Sequence, residues 1–189
     1  MKPLFEAPAE ATCPASAPDA ALRPPDYTRL VEEHDTASVV TRMKFAAPPE
    51  EVWEGLMFYE QIGKRQPLLL RLFLPVPIRT EGRKSEAGDE VKCHYLGGHL
   101  IKRMTHVTRG RSYEFEVIEQ NLAVGGGIRL LGGCYTLHEL PGGHTRLSLK
   151  TRYVSHRRPR WLCQMIEAAV CHSFHRYIMN ALRKNLQSR

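Results

Sequence analysis

Nothing in this 189-residue chain approaches the roughly 20 consecutive apolar residues of a membrane-spanning helix. The longest apolar segment, Pro67 to Ile78, is interrupted by Arg71 and broken by Pro75 and Pro77, so the protein is expected to be soluble or peripheral to a membrane. The N-terminal residues are rich in Ala and Pro and lack an apolar h-region, which makes the cytoplasm the expected compartment. Cys13, Cys93, Cys134, Cys163 and Cys171 are odd in number and contain no C-x-x-C pair. In a domain large enough to need no staples they are expected to be reduced thiols. There is no G-x-x-x-x-G-K-S/T and no G-x-S-x-G, so neither a phosphate loop nor a nucleophile elbow is indicated. Acid is scarcest near the C-terminus. From Leu140 to Arg189, Glu167 is the single acidic residue against ten Lys and Arg, a local charge of +9 within an overall +7. Such a surface suits anionic lipid, nucleic acid or an acidic partner.

What is present has the balance of a globular protein, 42% hydrophobic and 25% charged residues. The length allows one domain with a core and a tail. Pro3, Pro8, Pro14, Pro18, Pro24 and Pro25, with seven alanines among them, cannot bury enough apolar area to offset ordering entropy. Residues 1–34 are therefore expected to be a largely disordered tail, and residues 35–189 a single domain. From Thr36, Val39, Thr41, Met43 and Phe45 alternate with Val40, Arg42 and Lys44, the pattern of a half-buried strand. Pro48-Pro49-Glu50-Glu51 then opens a helix, with carboxylates at its positive end and Val52, Trp53, Leu56 and Met57 as its apolar face. Gln66 to Arg79 reads as a short helix followed by extended chain. Gly88–Leu96, His99–Thr108, Ser112–Gln120, Ile128–Leu140 and Thr145–His156 are separated by short Gly-containing turns and predict an antiparallel meander. Gly125 to Gly127 and Gly132-Gly133 read as turn and bulge glycines that let the sheet curve. Trp161 to Leu186 contains neither Gly nor Pro and predicts one long helix. Cys163, Val170, Cys171, Phe174, Tyr177, Ile178, Ala181 and Leu182 fall on its apolar side, and the face of the sheet is the surface that can cover it.

The strand running into Phe45-Ala46-Ala47-Pro48-Pro49-Glu50-Glu51-Val52-Trp53, the Pro-broken segment, the Gly-punctuated meander, the Pro-Gly-Gly-x-Thr turn and the long terminal helix resemble the START-like (SRPBCC) superfamily. The similarity covers roughly residues 36–186, in this case most of an ordinary domain. That group includes polyketide cyclases and dehydratases, coenzyme Q-binding proteins and lipid-transfer domains. The resemblance implies an α+β helix-grip, a curved antiparallel sheet wrapped around the C-terminal helix with two short helices after the first strand. It also implies a cavity between sheet and helix.

Glu167 draws attention because its helical angle sets it among Cys163, Val170, Cys171 and Phe174, where a carboxylate is costly unless paired. Ile101, Arg103, Thr105 and Val107 share one strand face, so Arg103 is its expected partner if that face points inward. The candidate ligand-binding set is Arg103 and Glu167 with Tyr95, Tyr113, Tyr153, Phe115 and Phe174; the bland alternative for Glu167 is a structural ion pair or a side chain that reaches water. Cys171, His172 and His175 suggest a metal, but no third donor can be assigned and His172 falls toward Arg176 and Arg183, so no metal and no cofactor are expected. His99 and His106 are weighed as bases for a cyclase and read as exposed strand histidines. Arg158, Arg160 and Trp161, with Leu69, Leu72 and Phe73, are candidates for contact with an anionic membrane. Interleaved aromatics on a platform are lacking, which argues against nucleic acid.

The expected function is binding or carriage of a hydrophobic or amphipathic small molecule such as a lipid, polyketide or quinone. The alternatives are a polyketide cyclase or dehydratase using polar cavity residues, and a protein-interaction module with a vestigial cavity.

Overall fold

The computed structural model describes residues 36–57, 77–122 and 127–187. Strand β1 (Thr36–Phe45) buries Ala37, Val39, Thr41 and Phe45 and leaves the alternate residues in water, the expected period of two. Pro48 stops it, and α1 (Pro49–Met57) starts with Glu50 and Glu51 in the first turn, where the helix dipole favours negative charge. Val52, Trp53 and Leu56 are buried beneath α1. The expected tail over 1–34 lies outside the described residues, as does the second short helix after β1.

Six further strands follow: β2 (Pro77–Gly82), β3 (Glu90–Tyr95), β4 (Gly98–Thr108), β5 (Ser112–Leu122), β6 (Ile128–Leu140) and β7 (His144–Ser155). All pair antiparallel in the order β1-β7-β6-β5-β4-β3-β2, so the meander is closed off by the first strand docking on the last. Helix α2 (Arg160–Gln187) packs on β1 and α1. Irregularities curve the sheet. Residues 130 and 132 of β6 bracket a bulge, and a Cβ on Gly132 would stand 2.2 Å from the Phe115 carbonyl oxygen, closer than any side chain tolerates. Two breaks in the β4–β5 register, at Ile101/Lys102 and Met104/His106, decide which β4 residues face inward.

The main core joins Phe45, Val52, Trp53, Met104, Phe115, Tyr135, Leu147 and Leu149 to Met179 and Leu182 of α2. A smaller cluster, Ala37, Val39 and Tyr153 with Ile128, Leu130, Ala168 and Cys171, lies toward the other end of the helix. Helix α2 is rotated from the expected face: its buried residues are Glu167, His175, Met179 and Leu182. Its apolar Val170, Phe174 and Ile178 line a cavity instead of filling a core. Cys93, Cys163 and Cys171 are free thiols, as expected. Cys134 is disulfide-bonded, which corrects the reading of all five as reduced; spacing in the chain does not reveal which thiols a fold brings together.

Candidate functional site

Between the concave face of the sheet and α2 lies a cavity of about 370 Å³, within the usual size of a small-molecule site. Its sheet wall includes Val91, Leu100, Met104, Tyr113, Phe115, Val117 and Leu149, and its helix wall Ile166, Val170, Phe174 and Ile178. Of the residues expected to surround a ligand, Tyr95, Tyr113, Tyr153, Phe115, Phe174 and Glu167 do line it.

Arg103 does not. It lies on the outer face of β4, bonded to Glu90 at 2.9 Å and near Glu116 at 3.6 Å. The cause is the bulge at Met104/His106. Val107 packs against the core while Leu100 and Met104 are buried, so the inward positions change parity at Thr105, and unbroken alternation assigned Arg103 to the wrong face. Lys102 takes the inward place instead.

Glu167, 7% exposed, accepts hydrogen bonds from Ser155 Oγ at 2.5 Å and Arg160 Nη1 at 2.9 Å. Arg160 stands seven residues earlier, two turns along the same helix face, and that spacing was a legible signal for the pair. Beside it the buried Tyr153 hydroxyl meets no hydrogen-bond partner among the described residues. Burial, then the nearby Glu167 charge, pushes this phenol up to about 12.

A seam of polar groups runs between β1, β7 and α2. Thr41 Oγ1 lies 2.8 Å from Nδ1 of both His172 and His175, and His175 Nε2 lies 2.8 Å from Thr151 Oγ1 and 3.4 Å from Cys171 Sγ. His172 therefore faces the sheet and not the Arg176 side, because α2 turns its polar stripe toward β1. His175 is 1% exposed. Burial, and then the neighbouring His172, lower its pKa to about 4, so the ring is neutral at pH 7. Since the Thr41 hydroxyl has one proton to give, at least one of the two Nδ1 atoms must donate to it. Burial raises the Cys171 thiol to about 11, which keeps it protonated and unreactive. No group of three metal-ligating side chains occurs among the described residues.

The sheet end of the cavity is aromatic. Tyr113 stacks on Tyr135 with centroids 4.7 Å apart, tilts against Phe115 at 6.3 Å and meets Trp53 edge-on at 6.1 Å. Burial raises the Tyr113 and Tyr95 phenols well above their ordinary range. His99 and His106 face away from the cavity and bond to Glu119 and Thr108, which removes both as candidate bases.

Among the membrane candidates, Arg160 is occupied by Glu167 and its side chain is only 18% exposed, a correction imposed by the ion pair. Trp161 is 68% exposed, and Leu162, Met165 and Ile166 are exposed beside it. Arg158 is exposed. Leu69, Leu72 and Phe73 lie outside the described residues. No helix among the described residues is long and apolar enough to cross a membrane.

Sequence comparison finds no matching family model and no matching curated protein. Solved structures do match. The aromatase/cyclase Zhui from Streptomyces sp. R1128 superposes with a TM-score of 0.58 at 18% identity, over 82% of this chain and 95% of that one. Ara h 8.0201 gives 0.56 at 10% identity, over 82% and 99%. The protein XoxI from Bacillus cereus gives 0.56 at 15% identity, over 80% and 96%. The chain described here shares the fold of these structures, a curved antiparallel sheet gripping a long terminal helix.

Proposed function

We propose that the protein binds and carries a hydrophobic or amphipathic small molecule in the cavity between the sheet and α2. The observation that carries this reading is that α2 spends Val170, Phe174 and Ile178 on the wall of an open space, where a helix with no ligand to hold would bury them in a filled core. A few polar groups interrupt that wall, the arrangement that orients one end of a ligand. Catalysis by a cyclase or dehydratase is less well supported. Arg103 is outside, Glu167 is tied to Ser155 and Arg160, and His175 has both nitrogens engaged and little basicity. The exposed Trp161, Leu162, Met165 and Ile166 stand beside the exposed Arg158, and Ile166 also lines the cavity. Loading from an anionic membrane surface fits that adjacency.

Native mass spectrometry of freshly purified protein, with titration of the neutral fluorophore N-phenyl-1-naphthylamine, tests the reading. Retained small molecule, or saturable 1:1 fluorophore binding, is expected. A protein that carries nothing and binds no apolar fluorophore would exclude it.

A further inference from the structure

We propose that Lys102 is an anchor for an oxyanion, and that the ligand is an anionic amphiphile whose apolar body fills the cavity; this rests on the ligand-binding reading above. Two ladders cross the sheet at this point. On the outer face Glu90, Arg103 and Glu116 are in register across β3, β4 and β5, and their charges compensate one another. On the inner face the matching positions are Val91, Lys102 and Val117. Along β4, Lys102 lies between Leu100 and Met104, each 2% exposed. Its Nζ sits 4.6 Å above the centroid of Phe115, itself 7% exposed. All six of these residues line the cavity.

An ammonium held in an apolar ring loses hydration, and the face of Phe115 replaces only part of it. A carboxylate partner would restore the balance, yet among the described residues none pairs with Lys102. Glu90 and Glu116 are committed to Arg103 on the other side of the sheet. Glu167, the acidic group in the cavity wall, is held by Ser155 and Arg160. The other cations of the wall, Arg79, Lys84 and Arg157, are all engaged, Arg79 with Glu81 and Lys84 with the Leu56 carbonyl. The missing counter-charge is what a carboxylate, sulfonate or phosphate group on the ligand would bring. Such a contact is charge-assisted, and the apolar ring around the half-buried Lys102 makes it stronger than it would be in open water.

A pair of fluorophores that differ by one sulfonate tests this directly. 8-Anilinonaphthalene-1-sulfonate and N-phenyl-1-naphthylamine share their rings, and both are titrated into the full chain, into Lys102→Met, into Lys102→Arg and into Lys44→Met. Lys44 is exposed on β1 and controls for general surface charge. The wild type is expected to bind the sulfonate about tenfold or more tighter than the neutral compound. Lys102→Met should abolish that preference and leave the neutral compound within about twofold, while Lys102→Arg and Lys44→Met retain it. Methionine suits the apolar ring, so Lys102→Met should melt no lower than wild type, and Lys102→Arg gives a second readout if it does. Equal affinity for the two compounds in the wild type, or equal losses in Lys44→Met and Lys102→Met, would overturn the anchor and leave the cavity reading standing. Binding of neither compound would overturn both.

Discussion

Both ring nitrogens of His175 are bonded to threonine hydroxyls in a seam nearly closed to water, and this makes one side chain a reporter of acid stability. The unfolded chain takes up its proton near pH 6.5, whereas the folded ring stays neutral down to about 4. Between those values the unfolded state binds more protons, so stability is complete above about pH 6.5 and falls as the pH drops toward 4, by about 3 kcal/mol in all. In urea denaturation across that range, the stability gap between wild type and His175→Gln should narrow on acidification; a gap independent of pH would show that the ring does not titrate there. Glu167 makes a second residue-scale prediction. Glu167→Gln should lower stability by about 1 to 3 kcal/mol, because the buried charge-assisted bond from Arg160 to this carboxylate is lost. Adding Arg160→Met should recover part of that loss, and a double-mutant cycle that is simply additive would argue against the pair. Glu167 itself was legible from helical angle. Its partner was misassigned because Arg103 was placed by an alternation that the Thr105 bulge interrupts.

Element boundaries followed closely from local chemistry. Proline and acid opened α1, short Gly-containing turns separated the strands, and a stretch free of Gly and Pro became α2. Orientation within an element was less legible. Helix α2 has polar and apolar residues mixed around its circumference, so its own pattern selects no face sharply; contact with β1 and α1 does, and it turns His172, His175 and Glu167 toward the sheet. The β6 bulge offers a test at this scale. Gly132 has φ +153° and faces the Phe115 carbonyl, whereas Gly142, with φ +81° in the β6–β7 turn, has open space around it. Gly142→Ala should cost about 1 to 2 kcal/mol through backbone strain alone. Gly132→Ala adds a clash with backbone and should cost clearly more in chemical denaturation. Equal costs would mean that the strands can separate there without penalty.

For the molecule as a whole, charge and exposed apolar surface meet at the N-terminal end of α2, where Trp161 and Met165 are about two-thirds exposed next to a chain segment rich in arginine. Vesicles containing phosphatidylserine should sediment the protein at low salt and release much of it near 0.5 M, where the screening length is about 4 Å. Trp161→Ala should weaken the interaction at every salt concentration, because its contribution is apolar. Binding that ignores both lipid charge and salt would remove the electrostatic part of this reading.

Composition and turn chemistry were sufficient by themselves for the elements and their order, because those signals act between residues close in the chain; the helix-grip arrangement of those elements was what the resemblance carried by A-P-P-E-E-V-W and the meander implied. The cavity too was implied by that resemblance, and Tyr95, Tyr113, Phe115, Tyr153, Glu167 and Phe174 do line it. Tertiary structure alone decided which charge faces that space. Lys102 and Arg103 are neighbours of the same sign, and no local preference distinguishes them. The register of β4 against β3 and β5, with its bulges, gives Arg103 two carboxylates outside and leaves Lys102 inside. The His172–Thr41–His175 seam was equally beyond local reading, since Thr41 is more than 130 residues from either histidine and meets them only when β1 closes the sheet beside α2. Nearest-neighbour chemistry sets the period of an element, but the phase of that period in space is set by what it packs against.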